Sequence, residues 1–374
     1  MDRQPFRFAH SAIGLWGEAV RDCVRQLSPV PESANLGFVY VTDLYANRVP
    51  EILAELREQT GVEQWTGSVG LGICGGNCEY LDESAIAVML GEFPEESFQV
   101  FAPLADAELA AQHFGDFAVH DRPAYFALMH ADGRNPDIAR LIETTAAGLS
   151  SGFIAGGLSS SRFQALQVAN GAVQGGVSGV MFNDKVNVLT RLTQGVTPIG
   201  PRHRVSSSQD NILINLDGRS ALEVLYEDIG EILSRDLQRA AGYIFAALSI
   251  PGSDSRDYLV RNLIGADTTE GLVAINEIVP EQAEILFCRR DAQAAEQDML
   301  NMLRDLQENL SVRPRGAVYY SCLGRGESLF GTKSAEVSLI QKMLDDIPLV
   351  GFFANGEISH DRLYSYTGVL TVFI

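Results

Sequence analysis

The chain has 374 residues, 46% hydrophobic and 20% charged, the make-up of a globular protein of about two to three domains with a sizeable core. Its formal net charge of −20 argues against a nucleic-acid or anionic-membrane surface, because phosphate binding needs clustered Lys and Arg. The five cysteines (Cys23, Cys74, Cys78, Cys288, Cys322) form no repeating framework. Together with a polar N-terminus and no apolar run of about 18 residues, they predict a soluble cytoplasmic protein with free thiols, no secretion signal and no membrane span.

Read from the N-terminus, one unit recurs three times. The first copy runs through a strand at Asn35–Asp43, a helix at Val49–Thr60, a glycine-rich strand and turn at Trp65–Asn77 and a strand at Ser84–Leu90. The second has Ala124–His130, Asn135–Leu149, Gly152–Ser161 and Gly175–Phe182, and the third Gly316–Cys322, Ser334–Asp346, Pro348–Ile358 and Thr367–Ile374. Dense Val, Ile, Tyr and Phe between turn residues predict the strands, and apolar residues at helical spacing predict the helices. Pro50 and Pro136 suit the first turn of a helix, and Asn135 suits an N-cap. Strands so continuously apolar need cover on both faces. The predicted fold class is therefore α/β (mixed α+β): two modules of mixed β-sheets covered by helices, with repeated β-α-β-β units.

Between the second and third copies, Gly195, Pro198, Gly200 and Pro201 punctuate the chain, and a module boundary is expected near Gly200, dividing it into residues 1–200 and 201–374. A hairpin follows at His203–Gly218, then a helix-rich stretch at Ala221–Ala247, the segment Ser255–Asp267, and a strand at Glu284–Arg290.

Ligands of open α/β sheets gather beyond the carboxyl ends of the strands. The loops expected there are Val41–Arg48, His130–Asn135 and Cys322–Gly331, lined by the glycine-rich turns Gly70–Asn77, Gly156–Ser161 and Phe353–Glu357. They offer hydroxyls and a guanidinium (Ser159, Ser160, Arg162), a thiol and a guanidinium between glycines (Cys322, Gly324, Arg325, Gly326), and an amide and a carboxylate (Asn355, Gly356, Glu357). A small polar ligand carrying both charges, such as an amino acid, suits an Arg-plus-Glu pocket, and these ten residues are expected to line a cleft between the modules. No metal ligand set and no catalytic residue is assigned. Gly326–Lys333 nearly matches a P-loop, but its last two residues are transposed. Cys74 and Cys78 lack the second ligand pair of a zinc site, and no G-x-S-x-G or H-E-x-x-H occurs. Cys322 would be a nucleophile only if a helix N-terminus and Arg325 lowered its pKa, so a thiol-dependent enzyme stands as one alternative. The six histidines (His10, His113, His120, His130, His203, His360) leave a haem ligand as another, although none sits in C-x-x-C-H.

The segments Ser321–Gly331, Pro348–Ile358 and Leu363–Phe373 resemble the FIST family, the F-box and intracellular signal transduction domain. Asp257–Asp267 and Phe287–Met299 resemble its C-terminal module, and "NLGFVYVTD", "WTGSVGLGICGG" and "GGLSSS" its N-terminal module. The resemblance implies a sensory protein rather than an enzyme, binding a small ligand. With no fused output domain expected in this chain, its signal would pass to a separate partner protein such as a kinase or cyclase. It also implies a haem-binding nitric-oxide sensor as the sharpest alternative ligand reading. No nucleic-acid or membrane partner is expected.

Overall fold

The computed structural model describes residues 6–108, 110, 118–234, 242–250 and 258–374. His113, residues 235–241 of the expected helix-rich stretch and residues 255–257 lie outside the described residues. Two compact units are present: Met1–Thr193 together with Met299–Ile374, and Gln194–Asp298. Among the described residues, no helix is long and apolar enough to cross a membrane.

The chain begins with β1 (Arg7–Ser11) and α1 (Trp16–Leu27). The first repeat follows: β2 (Leu36–Thr42), α2 (Val49–Thr60), β3 (Gln64–Gly70), the hairpin β4–β5 (Gly72–Gly75 and Cys78–Leu81) and β6 (Ile86–Gly91). Next come β7 (Phe98–Leu104) and the short ribbon β8–β9 (Ala118–Val119 and Arg122–Pro123). The second repeat is β10 (Phe126–Ala131), α3 (Ile138–Gly148), β11 (Phe153–Leu158), the hairpin β12–β13 (Gln167–Ala169 and Ala172–Val173) and β14 (Val177–Phe182), followed by β15 (Val188–Gln194). Pro50 stands in the first turn of α2, as expected. The second helix starts later than Asn135 and Pro136 suggested. The Asn135 side chain accepts the Asp137 N–H at 2.8 Å, forming a local turn that keeps both residues ahead of α3.

The second unit is antiparallel. It contains β16 (Val196–Pro198), β17 (His203–Gln209), β18 (Ile212–Leu216), β19 (Arg219–Ser220), α4 (Ala221–Ser234), β20 (Ile244–Ser249), β21 (Tyr258–Asp267), β22 (Leu272–Ile275) and β23 (Glu284–Arg290). The order β23-β17-β18-β22-β21-β20, with β20 pairing back to β23, closes the sheet on itself around Val205, Leu225, Val273 and Phe287. The helix expected to reach Ala247 ends earlier, because Ile244–Ala247 is strand. A short run of buried apolar residues carries no periodicity to tell the two apart, and pairing with β21 and β23 on both sides decides it.

The helix α5 (Ala292–Asn309) leads to the third repeat: β24 (Gly316–Cys322), the short helix α6 (Glu327–Phe330), α7 (Ala335–Leu344), β25 (Leu349–Ala354), the hairpin β26–β27 (Glu357–Ser359 and Arg362–Tyr364) and β28 (Thr367–Phe373). The three repeats build three six-stranded sheets of one order: β1-β6-β2-β3-β12-β13, β7-β14-β10-β11-β26-β27 and β15-β28-β24-β25-β4-β5. Each repeat gives its hairpin to another repeat's sheet: β4 pairs with β25, β12 with β3, and β26 with β11. This exchange puts Met299–Ile374 in one unit with the chain's beginning, so the spatial division differs from a single cut near residue 200.

Alternation along each strand sends one set of side chains inward. Phe38, Phe126, Val318 and their neighbours from all three sheets share one core, while α1 with α2, α3, and α5 with α7 cover the outer faces. The register shows the repeats' equivalence: Gly37 faces Trp65, Ala127 faces Ile154, and Ala317 faces Leu349. At matching positions of the three first strands, Tyr40, His130 and Tyr320 meet in the core, with the Tyr40 hydroxyl 3.2 Å from His130 Nε2 and 3.1 Å from the Tyr320 hydroxyl. At matching positions of the second strands stand Gly67, Gly156 and Gly351. A Cβ there would lie 1.7, 1.9 and 1.7 Å from the carbonyl oxygens of Val39, Met129 and Tyr319. The neighbouring backbone cannot yield without breaking the parallel pair. Gly351→Ala is therefore expected to cost about 3 kcal/mol in chemical denaturation, the upper end for forced overpacking; a loss below about 1 kcal/mol would contradict this close approach.

Candidate functional site

The carboxyl end of β24 carries a closed cluster of charge. Tyr319 and Ser321 lie on the same face of the strand, one pleat apart, and both hydroxyls donate to Glu336 of α7 at 2.7 Å. Arg325 Nε adds a bond of 2.8 Å to Glu336 Oε1, and the Gly326 N–H one of 3.0 Å to Oε2. The Arg325 and Glu336 side chains are both 0% exposed. Burial works against the arginine's charge, and Glu336 beside it outweighs burial and holds it protonated. The guanidinium also lies 5.4 Å from the centre of the Phe330 ring.

Two more carboxyls close on this pair. Glu79, on β5, is buried, and its Oε1 accepts the Val337 N–H at 3.4 Å. Burial, then the Glu336 charge, push it up to about 7. Glu357, on β26, is fully buried, and its Oε2 accepts the Thr367 N–H and hydroxyl at 3.1 and 2.8 Å. Burial pushes it up to about 8 against the Thr367 bonds, the Arg325 charge and the Cys322 thiol. Within the cluster, three buried polar atoms have no hydrogen-bond partner: Glu79 Oε2, Arg325 Nη2 and Glu357 Oε1. Leaving such an atom unpaired costs about 1–3 kcal/mol, more when it is charged, so each has a hydrogen bond to offer a water or a ligand.

Five of the ten residues expected from sequence meet here: Cys322, Gly324, Arg325, Gly326 and Glu357. The Gly324 N–H points at the Cys322 sulfur at 3.5 Å, and Gly326 has the left-handed φ of 59° that starts the cover over the cluster. Burial, then the Glu357 carboxyl, raise the Cys322 pKa, which works against the thiolate that a nucleophile needs. Ser159 and Ser160 are buried where the repeats join. Ser159 Oγ lies 2.8 Å from Ser68 Oγ; Ser160 Oγ accepts the Leu71 N–H at 2.9 Å and donates to the Phe353 carbonyl at 2.5 Å. Arg162 is elsewhere, bound at 2.7 and 2.9 Å to both oxygens of buried Asp43 and at 3.1 Å to Asp82. Burial disfavours the Asp43 charge, and the two-pronged arginine wins, holding that carboxyl below its ordinary range. Asn355 is exposed, and the Asn355 N–H and Gly356 carbonyl pair with Leu158 at 3.0 and 2.9 Å. All ten fall in the first compact unit.

Sequence reasoning missed Glu79, Glu336, Tyr319, Ser321 and Thr367. The repeats themselves carry a signal for Glu336. The adjacent inward residues are Ile52-Leu53 in α2 and Leu141-Ile142 in α3, but Glu336-Val337 in α7. Glu357 likewise stands where the other hairpins have Ile73 and Gln167, as the pairings Phe352 to Ile73, Ser68 to Gln167 and Gly157 to Glu357 show.

Three of the described histidines are already engaged. His130 is enclosed among Tyr40, Tyr320 and Phe352, and His203 has both ring nitrogens on Asp217 and Asp228 at 2.7 and 2.9 Å. His10 bonds Tyr80, and His120 and His360 are exposed turn residues.

The FIST N domain matches residues 35–219, and the FIST C domain matches residues 221–360. The chain belongs to the FIST family. Relatives include an uncharacterized protein of Mycobacterium tuberculosis (strain CDC 1551 / Oshkosh), 29% identical over 347 residues and covering 88% of each chain. Another, from Mycobacterium bovis (strain ATCC BAA-935 / AF2122/97), is 27% identical over 360 residues, covering 92% of this chain and 91% of its own. FIST domains are associated with signal transduction and small-ligand sensing.

The two raised carboxyls make stability fall with rising pH, opposed in part below about pH 6.5 by His130, which burial lowers to about 3. A carboxyl raised above its ordinary range holds its proton more tightly in the folded chain, so its contribution is complete below about pH 4.5 and is lost as pH rises through the folded value. For Glu79 and Glu357 that loss runs up to about 7 and about 8. Thermal stability of the FIST protein is therefore expected to fall from pH 5 to pH 8, and Glu357→Gln to flatten the fall. A variant with the parent's slope would contradict it.

Proposed function

We propose that this FIST protein is a cytoplasmic small-ligand sensor, and that the cluster at the end of β24 holds its ligand, an amino acid or similar small polar molecule. The observation supporting this is the set of three buried, ionisable side chains that each keep one polar atom without a partner. Arg325 Nη2 would take a ligand carboxylate and Glu357 Oε1 an ammonium. The segment 323–334 covers the cluster, turning at Gly326 and Gly331 with φ of 59° and 71°. Ligand enters when this segment lifts and is enclosed when it returns, which supplies the two states a sensor needs. The signal passes to a separate partner protein such as a kinase or cyclase.

Calorimetry of the purified chain against an amino-acid panel tests this. Binding by at least one member is expected, weakened about tenfold or more (about 1.4 kcal/mol) by Glu357→Gln. No binding by any member, or equal binding by the variant, would overturn it.

A further inference from the structure

The open valences of the cluster are unequal in sign. Glu336 takes four donors, from Tyr319, Ser321, Arg325 and Gly326, and its charge is matched by Arg325. What remains is one open donor, Arg325 Nη2, and two open acceptors, Glu79 Oε2 and Glu357 Oε1. The titratable groups acting on Glu357 are Arg325 and Cys322, and Glu79 acts with Glu336 and Cys74. Arg325 is the one cation among them, and Glu336 already occupies it.

The fold does not require this surplus of carboxyls. In the matching hairpin positions, Glu79 corresponds to Leu363 and Ala172, as the pairings Cys74 to Glu79, Ile358 to Leu363 and Val168 to Ala172 show. Glu357 corresponds to Ile73 and Gln167. At each place the other two repeats thus build the same sheet without an acid, and the second repeat has none at either. A buried carboxyl without a counter-charge either keeps its proton or receives a cation.

We infer that the cluster selects a basic amino acid, whose carboxylate meets Arg325 and whose two cationic nitrogens meet Glu79 and Glu357. This rests on the reading of the cluster as the ligand site. A neutral amino acid leaves one carboxyl unanswered. An acidic one adds negative charge where carboxyls already outnumber cations. A diamine answers both carboxyls and leaves Arg325 Nη2 open. Since both carboxyls hold protons near neutral pH when the site is empty, the cationic nitrogens replace those protons on binding.

The test is calorimetry at pH 7 in two buffers of different ionisation enthalpy, with L-lysine, L-ornithine, glycine, L-glutamate and putrescine as probes. Lysine or ornithine is expected to bind at least about tenfold more tightly than glycine, glutamate or putrescine, with protons released to the buffer. Affinity is expected to rise from pH 6 to pH 8, as the carboxyls lose their protons unaided. Glu357→Gln, its fold checked by circular dichroism, is expected to shrink the preference for lysine over glycine and to reduce proton release. Glycine or glutamate binding as tightly as lysine, or lysine binding without proton release, would overturn this inference and leave the sensor reading standing. Binding of no probe would overturn both.

Discussion

The bond between Arg325 and Glu336 governs the arrangement of the third repeat's carboxyl end. Both side chains are shut off from water, and a buried ion pair repays its desolvation only when the remaining lone pairs and N–H groups are also satisfied. Glu336 meets that condition, and Arg325 does not, because one of its terminal nitrogens is open. The pleat of β24 makes the first half possible: residues two apart share a face, so Tyr319 and Ser321 reach the same carboxylate. The turn at Gly326 makes the second half possible by bending the chain back, so that its own N–H joins the cluster.

The triplicated architecture supplies both the scaffold and a measure of what is special about it. Three sheets of one order share a core, and each is completed by another repeat's hairpin. The exchange brings Glu79 from the first repeat against Glu336 of the third, and places Glu357 beside the second repeat's β11. A ligand at the cluster would therefore act on strands from all three repeats at once, a physical route from a small molecule to a change in the unit as a whole. The repeats agree where packing decides, as at Gly67, Gly156 and Gly351, and they part where the charged cluster stands.

Much of the fold was legible in the sequence because it is written in local signals. The three repeats, the α2 limits and β24 emerge from periodicity and turn residues alone. The exchange of hairpins was not legible, since the short strands at Gly72–Gly75 and Glu357–Ser359 carry no mark of the partner they choose. Ile244–Ala247 was misread for the same reason: its partners, not its composition, make it a strand. At the site, glycine-flanked Arg325 and Glu357 were visible as loop residues with chemistry. Arg162 carries the same outward signal, and its commitment to Asp43 depends on a residue far away in the chain. Glu336 was hidden inside an ordinary helical pattern until the helices of the three repeats are laid side by side.

On the ligand-site reading, the buried pair of Arg325 and Glu336 serves binding rather than folding. Substituting Arg325→Met, Glu336→Leu, Tyr319→Phe and Ser321→Ala together tests that most directly, because it removes the pair along with the two hydroxyls that Glu336 satisfies, where the other repeats carry Ile52 and Leu141 in the helix. The combined variant, left with the Gly326 N–H alone unanswered, is expected to stay within about 1–2 kcal/mol of the parent, while Glu336→Leu alone loses about 3–5 kcal/mol by stranding the arginine. A combined variant as unstable as the single one would contradict the account and make the cluster a part of the folding core.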